Sequence, residues 1–220
     1  INQQLQPQSN IVVIGGGLLG LEMADSFHQL GHTVHVVQIS DRLMGRQLDG
    51  LSADLLKTII ERKGIHVHLN DEITHYTQTD GKVTQVKLKS GGSLPTDLII
   101  VAIGTRPNIE LLKEANITCQ YGVCVNEYMR TSDADVYAIG EIAQLHGQIW
   151  GISPAAQEQA RIVAKVLSGD PHAYYTGSTF MNILKLHDVQ LASIGMTDVP
   201  SKDAHEYQVV RLEDINRHYY

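Results

Sequence analysis

The sequence predicts an α/β fold built on a mostly parallel, doubly wound sheet, and three observations carry the prediction. Strand-like and helix-like stretches alternate from residue 11. A cluster of glycines joins the first strand to the first helix. A short antiparallel meander then interrupts the alternation before the next buried strand.

Each element follows from its local composition. "IVVI" at 11–14 is four β-branched residues in a row, suited to a strand buried on both faces. A helix is expected from about Leu18 to Leu30, then a strand "TVHVVQI" at 33–39, then a second helix from about Asp49 to Lys63. Gly31 and Gly64 follow the two helices where a C-cap takes left-handed backbone. "IHVHLN", "ITHYTQT", "KVTQVKL" and "DLIIVAI" read as further strands, with "DGK" at 80–82 as the tight turn inside the meander. Beyond "VAIGTRPN" the texture changes to short apolar pieces, "GVCVN" and "DVYAIG", and to a helix from about Pro154 to Leu167 rich in Ala and Gln. "SGDPHAYYTGS" breaks the chain again. The boundaries fall near 104 and 170, giving a linker at 1–9, a first domain at 10–104, a second at 105–170 and the start of a third at 171–220.

The bulk properties exclude several function classes. With 220 residues, 43% of them hydrophobic, the chain has enough apolar content for one large core or two smaller ones. A formal net charge of -7 argues against a nucleic-acid partner. No apolar run approaches the roughly 18 residues that span a bilayer, so no membrane partner is expected. Two cysteines are too few for a disulfide framework, and "INQQLQPQSN" has neither a basic region nor an apolar signal core. A reducing cytoplasm is the expected location. The chain opens on Ile1 and closes on "YQVVRLEDINRHYY", a strand and a short turn at 207–220, and so reads as a fragment of a longer protein.

Gly15, Gly17 and Gly20 form G-x-G-x-x-G between a predicted strand and a predicted helix, the context in which this weak pattern points to a dinucleotide. Gly15 permits the tight turn, Gly17 lets backbone reach a pyrophosphate, and Gly20 allows the helix to pack closely on the strand. The intervening Gly16, Leu18 and Leu19 complete the loop and the helix start that face the phosphate charge. A glycine-rich turn that only packs, or a methyltransferase-like variant, is the alternative. At the end of the second strand, where a carboxylate would hold a ribose 2′-hydroxyl, stands Gln38. Arg42 and Arg46 lie downstream, where either could meet a 2′-phosphate, stack on adenine or stay in a solvated loop. NADH and NADPH are both open.

The strings "GGGLLGLEMA", "RLMGRQLD", "IIVAIGTRPN" and "VNEYMRTSDADVYAIGEIA" occur in this order. In content and spacing the chain from 10 to about 168 resembles the FAD-dependent pyridine nucleotide reductases of the disulfide-oxidoreductase superfamily. Within it, the resemblance is greatest to the large subunit of NAD(P)H-dependent nitrite reductase and the electron-transfer subunit of assimilatory nitrate reductase. "YTGSTFMNILKLHDVQLASIG" from Tyr175 resembles the start of the next domain of those proteins. The resemblance implies an NAD(P)H-binding domain at 10–104, inserted between two halves of an FAD-binding domain, of which 105–170 is the second half and the first is missing. It also implies cofactor contacts by Gly104, by Glu22 near the nicotinamide and flavin, and by Gly140 and Glu141 against the flavin ribityl and pyrophosphate. For Glu22 the plainer role is to complement the helix dipole, and for Glu141 an exposed turn position.

Other constellations carry less. Cys119 and Cys124 have the C-x-x-x-x-C spacing of a redox pair but flank "QYGV" in an expected hairpin, and read as structural. His66 and His68 share one side of a strand, yet no Cys/His spacing suits zinc, so no metal is expected and the histidines read as surface residues. Trp150 would either shield the flavin or cover a domain boundary. The implied reaction is hydride transfer from NAD(P)H to FAD with onward electron transfer to a downstream redox centre or acceptor protein; it needs no side chain as catalytic acid or base, and the implied residues bind and orient. A non-catalytic dinucleotide-binding module remains the alternative, and oligomers are possible on either reading.

Overall fold

In the computed structural model, residues 5–197, 205–208 and 210 are described. The chain divides into two compact units, one formed by 1–104 with 181–220 and the other by 105–180. Almost all of the strand and turn expected at 207–220 lies outside the described residues.

In the first unit, β1 (Asn10–Ile14), α1 (Leu18–Gln29), β2 (Thr33–Gln38), α2 (Gly50–Arg62) and β3 (His66–Leu69) follow in sequence. The meander β4 (Ile73–Thr79), β5 (Lys82–Leu88) and β6 (Ser93–Pro95) precedes β7 (Leu98–Val101). The parallel sheet has the order β3-β2-β1-β7, so β1 is central and is buried on both faces. Alternation along it explains the unbroken apolar run: Ile11 and Val13 face the helices, whereas Val12 joins Val37, Val86 and Leu88 under the meander. In α1, Leu21, Ala24 and Phe27 form a buried stripe at helical spacing. Both helices end as expected, at Gly31 (φ +84°) and Gly64 (φ +98°). Asp49 proves to be the N-cap of α2, its Oδ1 accepting the Ser52 N–H at 2.8 Å. Residues 5–9, expected as linker, form a turn in which Ser9 bonds to the Gln6 carbonyl and Leu5 packs on the helical-face core.

The second unit contains α3 (Glu110–Glu114), β8 (Val123–Val125), a 3-10 turn at Gly140–Ile142, β9 (Ala143–Leu145) and α4 (Ser153–Leu167). β8 and β9 pair in parallel, and Val123, Met129, Ala143, Leu145 and Tyr175 form the core. This unit runs to Phe180 rather than stopping near 170, because Tyr175 is buried in that core. The hairpin of β10 (Met181–Leu186) and β11 (Val189–Ile194), at the start of the expected third domain, clusters with the first unit, with Leu184 and Leu186 buried in its helical-face core.

The histidines depart from the expectation of plain surface residues. Parallel register sets His35 beside His66, with rings stacked at 4.6 Å, and His35 Nδ1 lies 3.1 Å from His68 Nε2. His66 is exposed, but His35 and His68 are half-buried. Burial, then the neighbouring His66 and His68, lowers the His35 pKa to about 4.

Candidate functional site

The glycine turn joins the C-terminal end of central β1 to α1, the crevice in which parallel α/β sheets receive ligands. Its glycines have separable causes. Gly15 has φ +109°, and a Cβ there would lie 2.3 Å from the Ala102 carbonyl oxygen. A Cβ on Gly20 would lie 2.0 Å from the Gly15 carbonyl oxygen. At Gly16 it would meet Leu43 Cδ2 at 2.5 Å. Gly15 and Gly20 are required by packing against backbone, whereas at Gly16 the end of the Leu43 side chain would have to shift. Gly17 is different: its φ of -84° suits any residue, and a Cβ would have nothing within 4 Å. Nothing in the fold demands glycine there. Gly17 is also the N-cap of α1, with no side-chain cap and no acidic residue in the first turn. The amides at Leu18, Leu19 and Gly20 have no acceptor within the helix, and no Gly17 side chain caps them.

The turn is braced from β2 and from the loop after it. Gly16 N–H donates to Gln38 Oε1 at 2.7 Å, Gln38 Nε2 donates to Ser40 Oγ at 2.5 Å, and Ser40 Oγ donates to the Arg42 carbonyl at 3.0 Å. Met44 N–H in turn donates to the Gly16 carbonyl at 2.9 Å. Leu43 and Met44 are fully buried, so the start of the "LMGRQLD" string serves structure. Gln38 thus stands at the expected strand end but is engaged by the turn itself. Arg42 is half-buried and pairs with Asp41 Oδ1 at 3.3 Å, whereas Arg46 is exposed.

Glu22 lies on the second turn of α1, and its Oε1 accepts the Lys185 N–H at 3.1 Å. Gly104 has φ +93° and follows Ala102, the residue on which Gly15 packs, so this strand end runs beside the turn.

In the second unit, Gly140 (φ +79°) donates its N–H to Gln159 Oε1 at 2.7 Å, and Gln159 is 1% exposed. Glu141 is exposed and accepts a hydrogen bond from Thr105 Oγ1. Gly151 faces it, since a Cβ there would lie 3.9 Å from Glu141 Oε1. Gly140 and Glu141 are thereby fixed on one turn whose carboxylate reaches solvent. Trp150 donates from Nε1 to the Ser178 carbonyl at 2.6 Å and packs edge-on against Tyr175, inside this unit.

Cys119 and Cys124 are free thiols beside a tight hairpin, and burial pushes the Cys119 thiol above its ordinary value, the opposite of an activated nucleophile. Among the described residues, no three or more His, Cys, Asp or Glu form a group that could hold a metal, and no helix is long and apolar enough to cross a membrane. The bracing residues Ser40, Met44, Thr105 and Gln159 carried no signal in the sequence, because each acts through a contact distant in the chain or through a backbone group.

Residues 1–160 match the family described as pyridine nucleotide-disulphide oxidoreductase. An assimilatory nitrate reductase electron transfer subunit from Bacillus subtilis (strain 168) is 38% identical over 183 residues, covering 83% of this chain and 24% of that protein. The crystal structure of a covalent putidaredoxin reductase–putidaredoxin complex superposes with a TM-score of 0.81 at 28% identity, over 88% of this chain and 48% of that one. A water-forming NADH oxidase from Lactobacillus brevis bound to NADH gives 0.79 at 27% identity, over 93% and 46%. The chain therefore spans a quarter to a half of the length of these proteins. With the profile covering most of the chain and the glycine turn lying inside it, this chain belongs to the pyridine nucleotide-disulphide oxidoreductase family.

Proposed function

We propose that the chain carries the NAD(P)H-binding domain and the second half of the FAD site of a flavin-dependent reductase that serves nitrite or nitrate reduction. The observation that carries the dinucleotide reading is Gly17, a glycine that the fold does not need, at a helix start with no side-chain cap. The pyrophosphate is the group that would need the open space there, and the Gly17 position with the Leu18 and Leu19 amides would hold it. In the second unit, Glu141 would accept a ribityl hydroxyl, and the Gly140 turn would be kept in place by Gln159. When bound, the cofactors supply the hydride and electron chemistry. The protein's own part is to hold them in position. Support for the nitrogen-reducing role comes from the Bacillus subtilis relative, and support for an acceptor protein comes from the putidaredoxin complex. Two free thiols accord with a reducing, cytoplasmic location.

The test is calorimetric titration of the wild type and of Gly17→Val with NADH and NADPH. A Cβ meets nothing there, so the variant should keep its circular dichroism and a cooperative melt, lowered only by the poorer N-cap, while losing at least about tenfold in affinity. A folded variant with unchanged affinity would sink the reading.

A further inference from the structure

The β10–β11 hairpin buries Leu184 and Leu186 in the core of its unit, and its backbone is tied down as well. The N–H groups of Lys185 and His187, two residues apart, donate to carboxylates on consecutive turns of α1, Glu22 Oε1 at 3.1 Å and Asp25 Oδ2 at 2.7 Å. Lys63, at the C-cap of α2, lies 2.7 Å from Asp25 Oδ1 as an ion pair and also donates to the His187 carbonyl. His187 is therefore gripped at both its N–H and its C=O. Asp25 is buried and Lys63 nearly so, which makes this pair far less screened than one on the surface. On β11, buried Ser193 donates from Oγ to the Gln47 carbonyl at 2.6 Å.

Both anchor points lead to the glycine turn. Gln47 N–H donates to the Met44 carbonyl, and Met44 N–H donates to the Gly16 carbonyl. Glu22 and Asp25 belong to the helix whose first turn opens at Gly17. The hairpin thus ties together the two segments that frame the turn, the 40–49 loop and α1, without reaching the open space at Gly17.

We infer that the 181–194 hairpin is a positioning element of the dinucleotide site, locked by Lys63, so that its docking and dinucleotide binding strengthen each other. This rests on the dinucleotide reading of the glycine turn. A ligand that fixes the turn must favour the docked hairpin by the same factor by which docking favours the ligand. Lys63 and Ser193 are positioning residues on this account, and Glu22 acts as a hairpin acceptor.

The experiment uses the full chain and two readouts: NADH dissociation constants, and backbone amide exchange of residues 181–194 with and without NADH. In the wild type, saturating NADH should slow exchange at Lys185 and His187. Lys63→Met should weaken NADH binding by about three- to tenfold, with Lys63→Arg within about twofold of wild type and Ser193→Ala weaker by about two- to fivefold. Should Lys63→Met fail to fold, Ser193→Ala and the wild-type exchange data decide. The inference is overturned if the hairpin amides exchange equally with and without NADH, or if Lys63→Met loosens them while affinity is unchanged. A wild type that binds neither NADH nor NADPH overturns the dinucleotide reading itself, and that result precedes any variant.

Discussion

At the scale of single residues, Gln38 shows how one side chain takes on two demands. It occupies the strand-end position that a ribose would approach, yet its carbonyl is already used by the Gly16 N–H. Replacing it with Met would leave that backbone donor without its acceptor, at a cost of about 1–3 kcal/mol, read as a lower urea midpoint with an unchanged slope. Gln38→Glu keeps an acceptor for Gly16 and adds a negative charge beside the ribose position. The ratio of NADPH to NADH dissociation constants should then rise, by a factor corresponding to about 1–3 kcal/mol. A constant ratio would assign coenzyme choice to the loop that carries Arg42 and Arg46.

At the scale of elements, the β2–β3 pair carries a pH dependence that follows from its register. Three imidazoles share one sheet face, and His35 stays neutral down to about pH 4 in the folded state, against 6.5 for an ordinary histidine. Burial also lowers the His68 value, partly offset by Asp71. The sign follows directly: between pH 6.5 and about 4 the unfolded chain binds protons that the folded one refuses, so stability falls as pH falls through that window. Asp71 acts at lower pH. The Ser90 hydroxyl, chiefly, holds its carboxyl below the usual range, so its contribution is lost only as pH falls through that depressed value. Melting temperatures from pH 7.5 to 4.5 should decline more steeply in wild type than in His35→Val, which puts a strand-favouring β-branched residue in place of the imidazole. Parallel curves for the two proteins would show that the cluster does not titrate as described.

At the scale of the molecule, the two compact units carry unequal shares of their proposed sites. In the first, the glycine turn, its braces and the hairpin lie in one unit. In the second, the residues proposed for FAD are two neighbours on a single turn, Gly140 and Glu141, in a chain that covers 48% of the putidaredoxin reductase chain. We therefore expect the purified chain to be colourless and yet to bind NADH. Flavin absorbance that survives gel filtration would contradict this and would show that 105–180 holds FAD unaided.

The sequence alone determined the order and kind of the main elements, because these rest on local causes. β-branched runs make strands, apolar residues at helical spacing make helices, and Gly31 and Gly64 end the helices in left-handed backbone. The glycine turn was legible for the same reason, being a local strand-turn-helix motif. What only the tertiary structure decided depends on contacts between distant residues. Gly15 and Gly20 answer to packing while Gly17 answers to open space, and the difference lies in the positions of Ala102 and of the Gly15 carbonyl. Gln38 meets Gly16 across 22 residues, and His35 finds His68 only through parallel register. The hairpin's placement in the first unit was beyond the sequence, since its partners Glu22, Asp25 and Lys63 lie more than 120 residues away and read as ordinary charged positions on helices. Local propensity fixes an element's form, but its neighbours are chosen by the burial of Leu184 and Leu186 and by the carboxylates that meet backbone amides there.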